Sequence, residues 1–420
     1  MDPLLLARLQ FATTTSIHFL FVLVTLGLVT LLVYLQTAWF LTRKPVYERL
    51  TRFWGTFYLV NYALGITTGI VMEFQFGLNW SGLSRYVGNV FGAPLAIETL
   101  VAFFLESTLL GMWIFGWHRL RRGAHLALLY GVAITAYASA FWILVANSWL
   151  QHPVGYEARE GIAHLTDFGA LLTNQAFGMA FGHVVSAALT TGGFLVAGIS
   201  AWQLIRRAPD YEAFRKSLRI GVVTASIGTS LVMGFGFAQF GYLGTIQPTK
   251  FGNDEDKAAA AADFAARFGG SPADYVPPTW VGAPLGFMIL IAFTLMWVWV
   301  FIPFFYRDWI IRLKLPLYLL LIATPLPFVA AILGWLFREV GRQPFVVYGL
   351  LRTEDAVTDT SGAVMLTSFV GFTVLLLGLA VADWVLLARV AHRGTADPAL
   401  GRRPDEPLPE PADRPEPALA

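Results

Sequence analysis

The sequence predicts an all-α integral membrane protein with about nine transmembrane helices. Three observations carry this. Of its 420 residues, 56% are hydrophobic and 13% charged, a charged share roughly half that of soluble domains. The apolar residues gather in long runs, such as Leu20 to Phe40, Gly178 to Leu204 and Gly282 to Phe305. Runs near twenty apolar residues cross a bilayer as helices. The basic residues, finally, alternate between successive connections.

Candidate spans run at about 15–40, 54–78, 92–117, 125–150, 178–205, 218–240, 281–305, 315–337 and 364–390. No internal repeat relates them. Arg43, Lys44, Arg49 and Arg52 follow the first span, and Arg119, Arg121 and Arg122 the third. Arg206, Arg207, Arg215, Lys216 and Arg219 follow the fifth, Arg307, Arg312 and Lys314 the seventh, and Arg389, Arg393, Arg402 and Arg403 the ninth. Short connections after even-numbered spans carry only Arg85 or Arg159. The positive-inside rule then predicts an outer N-terminus and a cytoplasmic C-terminus. Trp80, Trp149 and Trp280 are expected in an interfacial belt.

Two longer outer connections are expected, at about 241–280 and 338–363. Residues 394–420 are rich in Pro, charge and Ala, and are expected to form a disordered cytoplasmic tail after a membrane domain over 1–393. No basic n-region with a small-residue cleavage site opens the chain, so the first span is expected to persist. The formal net charge of +2 gives no reason to expect a nucleic-acid partner. The chain has no cysteine. Disulfides, thiolate haem ligation, iron–sulfur clusters and covalent haem attachment are therefore excluded.

Ionisable groups inside spans are costly, so each is a functional candidate. His18, His183, Met288 and Glu339 come from four different spans, and all are expected at similar depth in the outer half. Imidazole, thioether and carboxylate all ligate haem iron, and a His/Met pair makes a six-coordinate, electron-transferring haem. Blander roles exist for each. A membrane histidine can serve as a helix-packing hydrogen bonder, Met288 as core filler, and Glu339 as the partner of Arg338 or Arg342. Trp335 shares a helix face with Glu339. Glu98 is expected near the outer side of span three and Glu106 near its middle, followed by Ser107. Two desolvated carboxyls at different depths read as proton carriers or as structural hydrogen bonders. Glu73 is read as interfacial, and His118, His125, His152, His164 and His392 as solvated.

Several stretches resemble subunit I of cytochrome bd-type terminal oxidases. They are Arg-Leu-Gln-Phe at 8–11, Met-Glu-Phe-Gln-Phe-Gly at 72–77, Phe-Gly-Ala-Pro-Leu-Ala-Ile-Glu at 91–98, Phe-Phe-Leu-Glu-Ser at 103–107, Trp-Ile-Leu-Val-Ala-Asn at 142–147 and Gly-Arg-Gln-Pro at 341–344. The resemblance covers roughly 5–240 and 280–392, nearly all the membrane part. It implies that His183 and Met288 are the axial pair of a low-spin haem b. It also implies that His18 and Glu339 ligate two high-spin haems, one a haem b and the other a haem d or a third haem b, without saying which ligand serves which. Glu98, Glu106 and Ser107 match proton-route positions, and Trp335 and Arg342 match residues around the high-spin haems. The implied donor is a membrane quinol, the acceptor dioxygen and the product water, with charge separated across a bacterial cytoplasmic membrane. A related membrane subunit II, with or without small accessory subunits, is the implied partner.

Two departures stand out. The outer loop tied to quinol oxidation is shortened to about forty residues. Lys250 and Glu255 keep the family's five-residue offset there, but Phe251 to Asp254 do not match the usual Ala-rich stretch. Gly286 stands where an arginine is common. A bd-like oxidase with a non-quinol donor and a haem-free proton- or ion-coupled transporter are the competing expectations.

Overall fold

The computed structural model describes residues 2–306, 313–395 and 400–401. Nine of its segments are long and apolar enough to cross a membrane, and they match the expected spans one for one. The helices are α1 (Pro3–Thr42), α2 (Pro45–Leu78), α3 (Ser81–Phe115), α4 (Arg122–Gln151), α5 (Gln175–Ile205) and α6 (Tyr211–Ile246). They continue as α7 (Asp254–Phe268), α8 (Gly282–Met296), α9 (Lys314–Ala323), α10 (Leu326–Val340) and α11 (Gly362–Arg393). Two short hairpins, β1 (Tyr156–Arg159) with β2 (Ile162–Leu165) and β3 (Phe345–Val347) with β4 (Leu351–Arg352), sit in connections.

Most helices outrun their apolar blocks, because local signals rather than hydropathy set their ends. Asp2 caps α1 by accepting from the Leu4 and Leu5 amides, and Pro3 at the first position needs no amide partner. Arg43, at φ 58°, turns the chain into α2 two residues later. In α3, a π turn over Glu98–Phe103 interrupts the helix, a deviation common at functional sites. The long connection after α6 holds helix α7, seated by Phe264 against Tyr275, Phe345 and Tyr348.

Small residues bring backbones together where no lipid-excluding force would. A Cβ added at Gly193 of α5 would lie 2.7 Å from the Ala225 Cα of α6. One added at Gly192 would lie 2.8 Å from the Gly27 Cα of α1. Trp54 donates to Ser217 at 2.9 Å and Ser200 to the same oxygen at 2.8 Å, tying α2, α5 and α6.

Three expectations need correction. Trp80 and Trp149 do not face outward as a belt would but are buried against neighbouring elements, while Trp280 is exposed. His125 is not solvated: it is buried, stacked on Trp113, and held by Gln36 at 2.9 Å and the Trp113 carbonyl at 2.8 Å. The tail has no sharp start at Gly394, since Thr395 donates to Asp210 at 2.8 Å and Leu400 is buried. The remaining tail residues, with Arg307 and Arg312, lie outside those described.

Candidate haem site and its surroundings

The four candidate ligands lie toward one end of the bundle, opposite the basic turns. His18 belongs to α1, His183 to the start of α5, Met288 to the start of α8 and Glu339 to the end of α10. Trp335 knits two of these helices together, with its ring 6.3 Å from both Phe11 and Phe19 of α1. Among the described residues, no three His, Asp or Glu side chains gather as a bare metal site. Haem needs less: one or two axial ligands and a flat space.

Both imidazoles are held so that one nitrogen stays available. The Thr68 hydroxyl donates to the Gly65 carbonyl at 2.7 Å, so its oxygen accepts from His18 Nδ1 at 2.8 Å. His183 Nδ1 lies 2.9 Å from the Val232 carbonyl, which only accepts. Each Nδ1 therefore carries the proton, and each Nε2 presents its lone pair, the outer-shell arrangement that orients metal-bound histidines. A glycine flanks three of the ligands. An added Cβ would come within 3.3 Å of the His18 ring from Gly69, 3.1 Å of the His183 ring from Gly236 and 2.7 Å of Met288 Sδ from Gly334.

Glu339 is buried and accepts from Asn147 Nδ2 at 3.2 Å, from Gln151 Nε2 at 3.1 Å and from Arg342. Arg338 turns to Asn147 Oδ1 at 2.8 Å. Arg338 Nη2 and Arg342 Nε and Nη1 are buried N–H groups without a protein acceptor. Orphaned cationic donors of this kind are costly and suit the two carboxylates that haem carries. The residues present therefore fit the group.

Lys250 joins this cluster. Its Nζ donates to the Arg338 carbonyl at 3.1 Å and stands 4.4 Å from the Phe337 ring centre. Burial, then the Arg338 charge, pushes its pKa well below that of a free ammonium, against the opposing pull of Glu339. Burial likewise lowers the Arg342 pKa. Glu255 is not brought in: it sits exposed on the first turn of α7. At Gly286 an added Cβ meets nothing within 4 Å, so space is open there.

The α3 residues find partners on two neighbours. Glu98 accepts from Ser139 of α4 at 2.5 Å. Glu106 is buried and accepts from Tyr58 of α2 at 3.1 Å, and Ser107 pairs with Tyr62 at 3.3 Å. Sequence reasoning missed Thr68, Asn147 and Gln151. Asn147 closes a stretch already singled out, and Gln151 follows it at helical spacing, which places both on one face.

The sequence profile of the family described as "Cytochrome bd terminal oxidase subunit I" matches residues 6–272 and 259–395. The chain belongs to that family. This subunit I is 36% identical to cytochrome bd ubiquinol oxidase subunit 1 of Bacillus subtilis, over 94% of each chain. It is 43% identical to cytochrome bd-II ubiquinol oxidase subunit 1 of Escherichia coli, over 59% of this chain and 49% of the relative. Its fold resembles the bd oxidase structure from Geobacillus thermodenitrificans, with a TM-score of 0.80 and 25% identity over 93% of this chain and 99% of the other. Family membership makes this subunit I a haem-containing, multi-pass membrane oxidoreductase, and sets aside the haem-free transporter.

Proposed function

We propose that the chain is the haem-bearing subunit of a quinol:dioxygen oxidoreductase in a bacterial cytoplasmic membrane. In this reading its N-terminus lies outside, its basic turns face the cytoplasm, and a related subunit II completes the complex. His183 and Met288 hold a low-spin haem b. His18 and Glu339 hold the two high-spin haems, a haem b and either a haem d or a third haem b. The observation that carries the reading is the pair of imidazoles fixed through Nδ1, each with a free Nε2. Bound there, haem supplies one-electron transfer and an iron position open to dioxygen.

The chain's own groups do the rest. Trp335, wedged between Phe11 and Phe19, packs the space between α1 and α10 and excludes water. Arg342 steadies Glu339 and offers its remaining N–H groups to haem carboxylates. Glu106, Ser107 and Glu98 carry protons upward from the cytoplasmic side, each held by a hydroxyl partner. Protons released by the donor leave outside, so turnover separates charge. Lys250, readily neutral at its site, is placed to hydrogen-bond a quinol hydroxyl, and Glu255 reaches the donor only if α7 shifts.

A reduced-minus-oxidised spectrum of the purified complex, repeated with carbon monoxide, tests this. Haem b bands with a red-shifted band that moves with carbon monoxide are expected where a chlorin is present, and haem b bands with a carbon monoxide shift where it is not. A colourless preparation that takes up no added haem refutes the reading. Loss of one high-spin signal is expected in His18→Ala.

A further inference from the structure

One buried carboxyl is used by none of these roles. Asp383 lies on α11 ten residues before Arg393, about 15 Å along the helix. It is 3% exposed, yet its Oδ1 has no hydrogen-bond partner. The side chain lines a cleft with Phe21 and Val24 of α1, Asn61 of α2, Leu195 of α5, Phe328 of α10 and its own neighbour Trp384. Among the described residues, no other ionisable side chain lines that cleft, from any of the five helices around it.

Across the cleft, Asn61 begins a polar file along the α2 face that meets α1. Its Nδ2 donates to the Phe21 carbonyl at 3.0 Å and to Thr25 Oγ1 at 2.8 Å. Thr68 follows with His18, then Gln75 accepting from Thr14 at 3.1 Å, then Asn79 donating to Gln10 Oε1 at 2.7 Å. Positions 61, 68, 75 and 79 repeat at helical spacing, so they share one stripe. Polar side chains in such a stripe can hold helices together. Helix adhesion gives no reason, however, for a carboxyl with an unpartnered oxygen facing an apolar cleft, a costly placement.

We propose that Asp383 is a proton-loading carboxyl at the foot of a second polar path, separate from Glu106 and Glu98, that rises between α1 and α2 toward His18. The inference rests on the oxidase reading, which supplies the demand for protons and the cytoplasmic orientation of this end. Asp383 as carboxylate takes a proton from water on the cytoplasmic side and becomes the neutral acid. It returns to carboxylate when that proton passes to water on the Asn61 side of the cleft, which carries it on toward the oxygen site. The two α3 carboxyls are held by Ser139 of α4 and Tyr58 of α2 and do not line the cleft, so the two paths share no carboxyl.

The assembled complex in native membranes provides the test. Dicyclohexylcarbodiimide attacks protonated carboxyls in apolar surroundings, and peptide mass spectrometry should find its adduct on Asp383. Asp383→Asn should keep the reduced haem spectrum and lower oxygen uptake at least fivefold, with Asp383→Glu recovering more than half the loss. Uptake within twofold of native in Asp383→Asn overturns the proposal, as does a native complex labelled elsewhere but not at Asp383. If Asp383→Asn assembles without its haems, labelling of the native chain decides: an adduct supports the carboxyl's role, and its absence overturns it. A native complex without haem bands sinks the oxidase reading instead, whatever the label shows.

Discussion

Among the described residues, Glu339 is the single carboxylate beside two buried or half-buried guanidiniums, Arg338 and Arg342, and the Lys250 amine. The pair with Arg342 is well enclosed, with side-chain exposures of 11% and 4%. Removing one member of a buried pair strands the other, at a cost of about 3–5 kcal/mol. That corresponds to about two to four powers of ten in the folding equilibrium. Glu339→Ala should therefore lower the survival of the chain on heating, measured as the monodisperse gel-filtration peak in detergent. Glu339→Gln keeps an acceptor for Asn147 and Gln151 but not the charge, so it should fall close to the alanine variant. The double change Glu339→Ala with Arg342→Met should recover at least about 1.5 kcal/mol, because the stranded cation goes too. A Glu339→Ala variant within about 1 kcal/mol of native, or strict additivity in the double, refutes the idea that one carboxylate balances this cluster.

Further predictions concern single contacts. Gly334→Ala puts a Cβ 2.7 Å from Met288 Sδ, so the low-spin reduced band should weaken or shift while the carbon monoxide response persists; an unaltered band removes Met288 from the ligand set. Thr68→Val deletes the acceptor for His18 Nδ1 and should loosen retention of that haem by about 10–100-fold, read as haem per protein after dilution; full retention shows the contact to be incidental. Burial pushes the Asp210 pKa up, but hydrogen bonds from Arg49, Thr395 and the Ala213 amide outweigh it and hold it below the usual range. Its folded pKa being depressed, the stabilisation is present above the unfolded pKa and lost as pH falls through the folded one. The pair is partly exposed, so about 1 kcal/mol is expected, and Asp210→Asn should flatten the acid limb of the thermal stability profile; an unchanged limb assigns the acid loss elsewhere.

Hydropathy reads lipid depth, and so the spans were visible as apolar blocks while the true helix ends were not. The forty residues of α1 begin with a stretch that includes Arg8, Gln10 and Thr14, polar enough to hide the helix that Asp2 caps. His18, His183, Met288 and Glu339 could be flagged because each is an oddity within its own span. Their partners could not, since Asn147 and Gln151 meet Glu339 across 192 and 188 positions of chain. His125 looked solvated because it borders an arginine-rich turn, and only the fold brings Gln36 and Trp113 over it. Asp383 was legible by the same rule that flagged the others, as an ionisable group within a span, and was passed over.

The buried Leu400 bears on how the protein is handled in the laboratory. Its side chain reaches the core against Gly55, beside the Trp113 ring on the same face of that glycine, and the next carbonyl accepts from His118 at 2.5 Å. An affinity tag or fluorescent reporter fused at Gly394 would replace this plug, forfeiting about 1.5–3 kcal/mol of leucine burial and uncovering tryptophan at the basic end. A fusion placed after Gly401 leaves the plug seated, so the choice of seven residues decides whether a labelled preparation reports on the native bundle or on a weakened one.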